Sequence, residues 1–444
     1  MRALVLVDGE HYPPTTRWGL ATLRSLGYEV VACLLVGGIE KLAAGGELDL
    51  GDVPVEEAGL DLRGGVAAAA GRHRPDVVLD LSDEPVLGYR ERMEVAAVVL
   101  AAGLRYVGPD FALEPPVRGD PISSPTLAVI GTGKRTGKTA IAGEAARVAS
   151  GAGMDPVLVA MGRGGPPGPA VIEPGSVTLD VLRDLVRGGE HAASDYLEDA
   201  VTTGVTTVGA RRVGGGLAGR PWATNVREAA EAAERLGPGL VILEGSGTAV
   251  PSVPWDAGVL VCSAASPPEH LGGYLGPFRL LLSDLVIFTM SRGPNGGPRD
   301  LSDPISHVRR LRPDARIVVT DFRPVCLAEV KGEKVYFTTT APEAALPDLV
   351  ASLEDSSGCS VVGASHRLSD RAGLARDLES APPFDVLVTE LKAAAVDVAA
   401  EEALARGAEV VFADNRAETI GGDAEVGDLL LEAARLAVDR SKKR

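Results

Sequence analysis

The stretch TLAVIGTGKRTGKTAIAGEAARVAS, residues 126–150, decides the fold class of this chain. It opens on a short apolar run with the composition of a buried strand, passes through a glycine-dense loop, and continues with the period of a helix. The loop ends in Gly137-Lys138-Thr139 where the helix begins, which is the context of a phosphate-binding P-loop. The strict spacing G-x-x-x-x-G-K-[ST] fails by one place, since Thr132 stands where the first glycine is expected and Gly131 and Gly133 flank it. The physics survives that slip. Backbone N–H groups from Gly133 to Thr139 can wrap an anion, and the helix N-terminus turns its partial positive charge on the same point. Lys138 then reaches the β- and γ-phosphates of a nucleotide such as ATP, while the Thr139 hydroxyl ligates Mg²⁺. Lys134 and Arg135 lie inside the same loop and imply more negative charge than a nucleotide alone brings.

A P-loop needs a carboxylate at the tip of a neighbouring strand, because Mg²⁺ prefers hard oxygen ligands. The segment PGLVILEGSGTAVPSV supplies Glu244 at the end of an apolar strand, before Gly-Ser-Gly. It is the metal candidate; the plainer alternative is a strand-end carboxylate that caps the next helix. Two further Gly-rich loops carry arginines, AMGRGGPPGP (residues 160–169) and VGARRVGGGLAGR (residues 208–220). Guanidinium forks recognise phosphate oxygens bidentately, so Arg163, Arg211 and Arg212 are candidates for a second phosphorylated molecule. The competing reading is three surface arginines on loops.

Working outward, short apolar runs alternate with Ala/Leu/Glu/Arg segments of helical period, the pattern of parallel sheets covered by helices on both faces. The class is α/β, with a central doubly wound P-loop domain. Residues 1–115 read as a Rossmann-like N-terminal domain with strands at RALVLVDG, YEVVACLLVG and PDVVLDLS. The Pro-rich joint EPPVRGDPISSP, residues 114–125, cannot extend a helix or a central strand and reads as a linker. Residues 126–355 form the nucleotide-binding and catalytic domain, with strands at TLAVIG, PVLVAMG, LVILEG, GVLVCS, DLVIFTM and ARIVVTD. After the polar break EDSSG, residues 356–444 form a small C-terminal α/β unit whose three strands need another domain to pack on.

Composition limits the function. The chain has 444 residues, 45% of them hydrophobic, which suits roughly three globular domains. Its formal charge of −17 repels a phosphate backbone, so a general nucleic-acid binder is not expected. Cys33, Cys262, Cys326 and Cys359 are widely spaced with no C-x-x-C, which fits buried free thiols in a reducing compartment better than a disulfide framework or a zinc site. The apolar run at residues 3–7 is too short for a signal segment, and no stretch reaches the ~18 residues of a membrane span. A soluble cytoplasmic protein is expected. DGEHYPP, residues 8–14, follows the first strand, so that Asp8, Glu10 and His11 form either a polar site or a turn. HAASDYLEDAV places His191, Asp195 and Asp199 four residues apart, on one face if the segment is helical, and a solvated face explains that as readily. No Ser/His/Asp or Cys/His arrangement supports nucleophilic catalysis by a side chain.

GTGKRTGKT resembles the shifted P-loop of the dethiobiotin synthetase group, as LEGSG resembles its strand-end Glu-Gly segment. Over nearly the whole chain, the set DGEHYPP, GTGKRTGKT, AMGRGG, HAASDY, GARRVGGG and LEGSG resembles the cyclic 2,3-diphosphoglycerate synthetase family more closely. That resemblance implies an ATP-dependent ligase that closes an intramolecular phosphoanhydride, with Lys138 and Thr139 on ATP and Mg²⁺ and Glu244 on Mg²⁺. Gly131, Thr132, Gly133 and Gly137 complete the nucleotide loop, and Lys134 and Arg135 join Lys138 as catalytic candidates. The partner expected is a small anionic phosphorylated substrate; a homodimer is left open. Two alternatives stand beside it: an amide-forming or dethiobiotin-synthetase-like ligase, and a nucleotide switch of the partitioning-ATPase type. The switch is disfavoured because its signature lysine, five places before the P-loop lysine, is Gly133 here.

Overall fold

The computed structural model describes residues 1–38, 48–117, 119–293 and 296–444; Arg118 of the expected linker lies outside them. Two sheets organise the chain. The N-terminal sheet holds β1 (Arg2–Val7), β2 (Glu29–Leu35), β3 (Val55–Glu57), β4 (Val77–Asp80), β5 (Arg105–Val107) and β6 (Ala112–Leu113), in the order β3-β2-β1-β4-β5-β6. All of its pairings are parallel except the last. Its helix Tyr89–Ala101 lies on the second body, where Val95, Val99 and Leu100 share an apolar cluster with Leu275 and Phe278. A cavity of about 720 Å³, bordered by Arg63, Arg74 and Arg310, opens along that seam.

The second sheet is built on β7 (Thr126–Gly131), β8 (Pro156–Gly162), β10 (Thr207–Val213), β12 (Leu240–Glu244), β13 (Ala257–Ser263), β14 (Leu285–Thr289) and β15 (Arg316–Cys326), with β9 (Ala170–Ile172) and β11 (Ala223–Thr224) on its edge. The order β10-β8-β12-β7-β13-β14-β15 is parallel throughout. β7, β8, β12, β13 and β14 are buried along their whole length, and this explains why they read as unbroken apolar runs without alternation. On one face the helix Lys138–Gly151 packs through Ile141, Ala142, Ala145, Ala146 and Ala149. The chain's last helix, Val426–Ser441, lies against it through Leu429, Leu430, Ala433, Ala434 and Ala437. Small alanine side chains on both helices let them approach closely.

The remaining strands, β16 (Lys334–Thr338), β17 (Ser360–Ser365), β18 (Val386–Glu390) and β19 (Glu409–Gly422), continue the same sheet. β15 pairs with β14 only through Val319; from Thr320 to Cys326 it runs beyond β14, paired antiparallel with β19. β18, β16 and β17 run parallel to the start of β19, so their carboxyl ends point back toward the carboxyl ends of the P-loop strands. β16 pairs with β18 although it precedes residue 356, and EDSSG is the end of the helix Leu346–Ser357, closed by Gly358 at φ 66. One expectation is corrected here. GARRV is not loop but the body of β10, in which Arg212 points inward and Arg211 outward.

Candidate active site

At the carboxyl end of β7 the chain turns through Gly131–Gly137 into the P-loop helix. Gly137 caps that helix at φ 85, and a Cβ there would collide with the Phe322 ring from the overrunning part of β15, so only glycine fits. The Thr289 hydroxyl donates to the carbonyl of Thr136 at 2.7 Å and ties the loop to the end of β14. Lys138 is 6% exposed; its ammonium donates to Gly133 O at 2.7 Å and Thr136 Oγ1 at 3.3 Å. Burial brings its pKa down to about 8, against the pull of Glu244 and Asp195. Glu244 sits beside Val129 in the β12–β7 register, and its Oε1 accepts the Thr139 hydroxyl at 2.8 Å. Burial pushes its carboxyl up to about 7. The structure therefore brings together Gly131, Thr132, Gly133, Gly137, Lys138, Thr139 and Glu244.

A Thr hydroxyl, the buried Glu244 carboxylate and phosphate oxygens are hard donors, and Oε2 of Glu244 is buried without a partner among the described residues. These residues fit Mg²⁺. No three His, Cys, Asp or Glu side chains of the described residues converge as a self-sufficient metal centre, which is also the P-loop arrangement, where substrate and water complete the shell.

The cations converge from several strands. Lys134 and Arg135 are exposed at the loop's crest, with Arg135 in the left-handed region at φ 60. Lys134 is held below the usual lysine range by partial burial and then by Arg163 and Arg135, so Arg163, one residue past β8, faces the same mouth. Arg212 is 8% exposed; burial and then Arg163 lower its pKa. It donates to Gly214 O at 2.6 Å and Ser246 O at 2.9 Å, and its Nε is buried without a partner among the described residues. Arg211 is different. Its Nε donates to Gly165 O at 2.7 Å, where Gly165 passes so close to Ala210 that no side chain fits, and this makes it a brace between β10 and the loop that follows β8. Arg279, which sequence reasoning missed, is 4% exposed and brought down to about 10 by burial, with its donors on Thr248, Leu217 and Leu275 carbonyls. Its position is set by helix packing, for which the sequence carries no signal.

The acidic motif also changes meaning. The helix begins only at Asp195, so His191 lies off its face and accepts from Ala193 N instead. Asp199 is 0% exposed, not solvated, and both its oxygens lack a partner among the described residues. Near the N-terminus, Asp8 Oδ1 accepts from Glu10 N and His11 N and lies 2.7 Å from His11 Nδ1, while Oδ2 accepts from Asp83 N. That is the turn reading of DGEHYPP. Cys33, Cys262 and Cys359 are buried free thiols and Cys326 is half-buried. A cavity of about 200 Å³ borders the P-loop at Thr132 and is lined by Ser263, Pro267, His270, Asp300 and Asp303.

A parallel sheet, a Gly-Lys-Thr loop opening a helix, and a carboxylate one strand away define a P-loop nucleotide-binding protein. The chain belongs to the cyclic 2,3-diphosphoglycerate synthetase family, whose N-terminal, P-loop and C-terminal domain models match residues 2–114, 126–321 and 326–416. A protein of Rubrobacter xylanophilus named cyclic 2,3-diphosphoglycerate synthetase is 46% identical over 440 residues, 98% of each chain. One of the same name from Methanothermobacter thermautotrophicus is 40% identical over 454 aligned residues, 98% of this chain and 96% of that one. Another from Methanothermus fervidus is 38% identical over 456, covering 99% of this chain and 98% of that one. Among the described residues no helix is long and apolar enough to cross a membrane.

Proposed function

We propose that this protein is an ATP-dependent ligase that closes an intramolecular phosphoanhydride in 2,3-diphosphoglycerate, giving the cyclic compound, ADP and phosphate, in a cytoplasmic setting. Relatives of that name over the full length support the reading. The observation that carries it beyond the name is the charge at the P-loop mouth. Burial and then the neighbouring Arg163 guanidinium lower the pKa of both Lys134 and Arg212, and none of the three forms an ion pair with a carboxylate among the described residues. Gathering cations in this way is costly unless a polyanion neutralises them.

In this reading the P-loop backbone and Lys138 hold the ATP phosphates, and the 200 Å³ cavity beside Thr132 takes the nucleoside. Thr139 and Glu244 hold Mg²⁺, which supplies charge neutralisation at the phosphates. The γ-phosphoryl group passes to one substrate phosphate and ADP leaves. An oxygen of the other phosphate then attacks that activated phosphorus and expels inorganic phosphate. Every participant is an anion, so Lys134, Arg135, Arg163 and Arg212 act by bringing two mutually repelling phosphates together. Arg211 braces β10 against the loop after β8. Release of ADP tested against 2,3-diphosphoglycerate, 2-phosphoglycerate and diaminopelargonate should respond to the first alone. A response to diaminopelargonate would favour an amide- or urea-forming ligase instead.

A further inference from the structure

The helix Asp195–Thr203 carries three carboxylates into the molecule, and their surroundings differ. Asp199 is fully buried on the side of Glu244, and neither it nor Oε2 of Glu244 has a hydrogen-bond partner among the described residues. Glu244 is among the groups that hold the Asp199 carboxyl well above the usual range, after burial itself. On the other side, Glu198 Oε1 receives the Lys392 ammonium at 2.5 Å, from the turn just after β18. Leu197 of this helix packs in one cluster with Leu182, Leu391 and Val396. The turn that bears Lys392 is itself fixed: Glu390 accepts from Thr339 Oγ1, Thr340 N, Thr340 Oγ1 and Asn415 Nδ2, and Lys392 N donates to Glu390 O.

We propose that Lys392 is a positioning residue for the cation site: through Glu198 it holds the acidic helix so that Asp199 stays against Glu244. The inference rests on the metal reading of Glu244 given above. The helix presents Asp195, Glu198 and Asp199 to a region that already holds Glu244 and Glu390, and each of these carboxyls that ionises is repelled by the others. Lys392 is the cation that the C-terminal strands supply against that repulsion. Removing its charge leaves Glu198 half-buried and uncompensated, and the helix relaxes toward solvent, taking Asp199 from Glu244. A second pair between the same two parts, Arg183 with Glu401, is more exposed and lies on the helix Leu179–Arg187 rather than on the acidic helix, which makes it the internal control.

The test is the affinity for Mn²⁺, used in place of Mg²⁺, measured by calorimetry in the presence of ADP. Lys392→Met should bind Mn²⁺ about 10- to 100-fold more weakly, as expected when a group that orients a metal ligand is lost. Lys392→Arg should recover most of the affinity, and Glu401→Gln should leave it at the wild-type value. If Lys392→Met does not fold, the double variant Glu198→Gln/Lys392→Met, which buries no unpaired charge, replaces it with the same expectation. Wild-type Mn²⁺ affinity in whichever of these two variants folds would overturn the proposal, as would an equal loss in Glu401→Gln. Because no turnover is measured, a wild-type protein inactive on 2,3-diphosphoglycerate would defeat the proposed function and leave this result standing. A wild-type protein that binds no Mn²⁺ would defeat the metal reading and Lys392 with it.

Discussion

At the scale of single residues, Lys138 makes the sharpest claim. Its ammonium is buried within its own loop, so Lys138→Ala removes the charge that follows the transferring phosphoryl group. Turnover should fall by about 100-fold or more, mainly in kcat, in a steady-state ADP assay. Glu244 sets the pH dependence. Its carboxyl is pushed up to about 7, so below that pH the site holds a proton that a divalent cation must displace. Mn²⁺ affinity should therefore be flat above about pH 7 and fall about tenfold per unit below it; Glu244→Gln should be weak and flat throughout. Arg163 is exposed and unpaired among the described residues, so Arg163→Ala should lower kcat/KM for the acidic substrate by about tenfold without moving ATP affinity or Tm. Residues contiguous in sequence were legible at this scale: Gly131 to Thr139 announce a phosphate loop because strand, loop and helix follow without a break. Asp199 and Lys392 were not. Their meaning lies in contacts between distant segments, and Asp199 shares its helical spacing with any solvated face.

At the scale of elements, the strands of the central sheet were readable because burial on both faces demands unbroken apolar runs, as in LVILE and LVIFT. β10 escaped because TVGARRV mixes glycine and arginine, and its strand character comes from pairing with β8 and β9 on either side. The second half of β19, AETIGG, has no strand signature either; it is extended because β15 overruns β14 and needs a partner. The sequence assigns the residues of the terminal helix, Val426–Ser441, to the C-terminal unit, whereas they pack on the central body. Its apolar face lies on the P-loop helix, so Leu430→Ala, at a fully buried position, should cost about 2 to 5 kcal/mol in chemical denaturation. Because that face lies away from the P-loop mouth, kcat at moderate temperature should stay near wild type. A variant that lost activity without losing stability would contradict the packing role assigned to this helix.

At the scale of the whole molecule, the arrangement follows from the direction of two sets of strands. The P-loop strands and the strands β16–β18 end toward each other, and the acidic helix is tied to the second set by the Glu198–Lys392 pair. The net charge of −17 keeps this mouth from being a general polyanion surface, while the cations gathered there suit a small, densely charged ligand. The α/β class and the central P-loop domain could be anticipated from composition and motifs. The overrun of β15 and the head-on strand sets could not, since register between distant strands leaves no local trace. The central claim is ring closure at this P-loop, and phosphorus NMR of the reaction mixture tests it most directly. With ATP, Mg²⁺ and 2,3-diphosphoglycerate, the two phosphomonoester resonances of the substrate should give way to a coupled pair in the anhydride region, with ADP and phosphate rising in equal amounts. ATP consumed with the substrate's resonances unchanged, or a new phosphate ester without an anhydride, would contradict it.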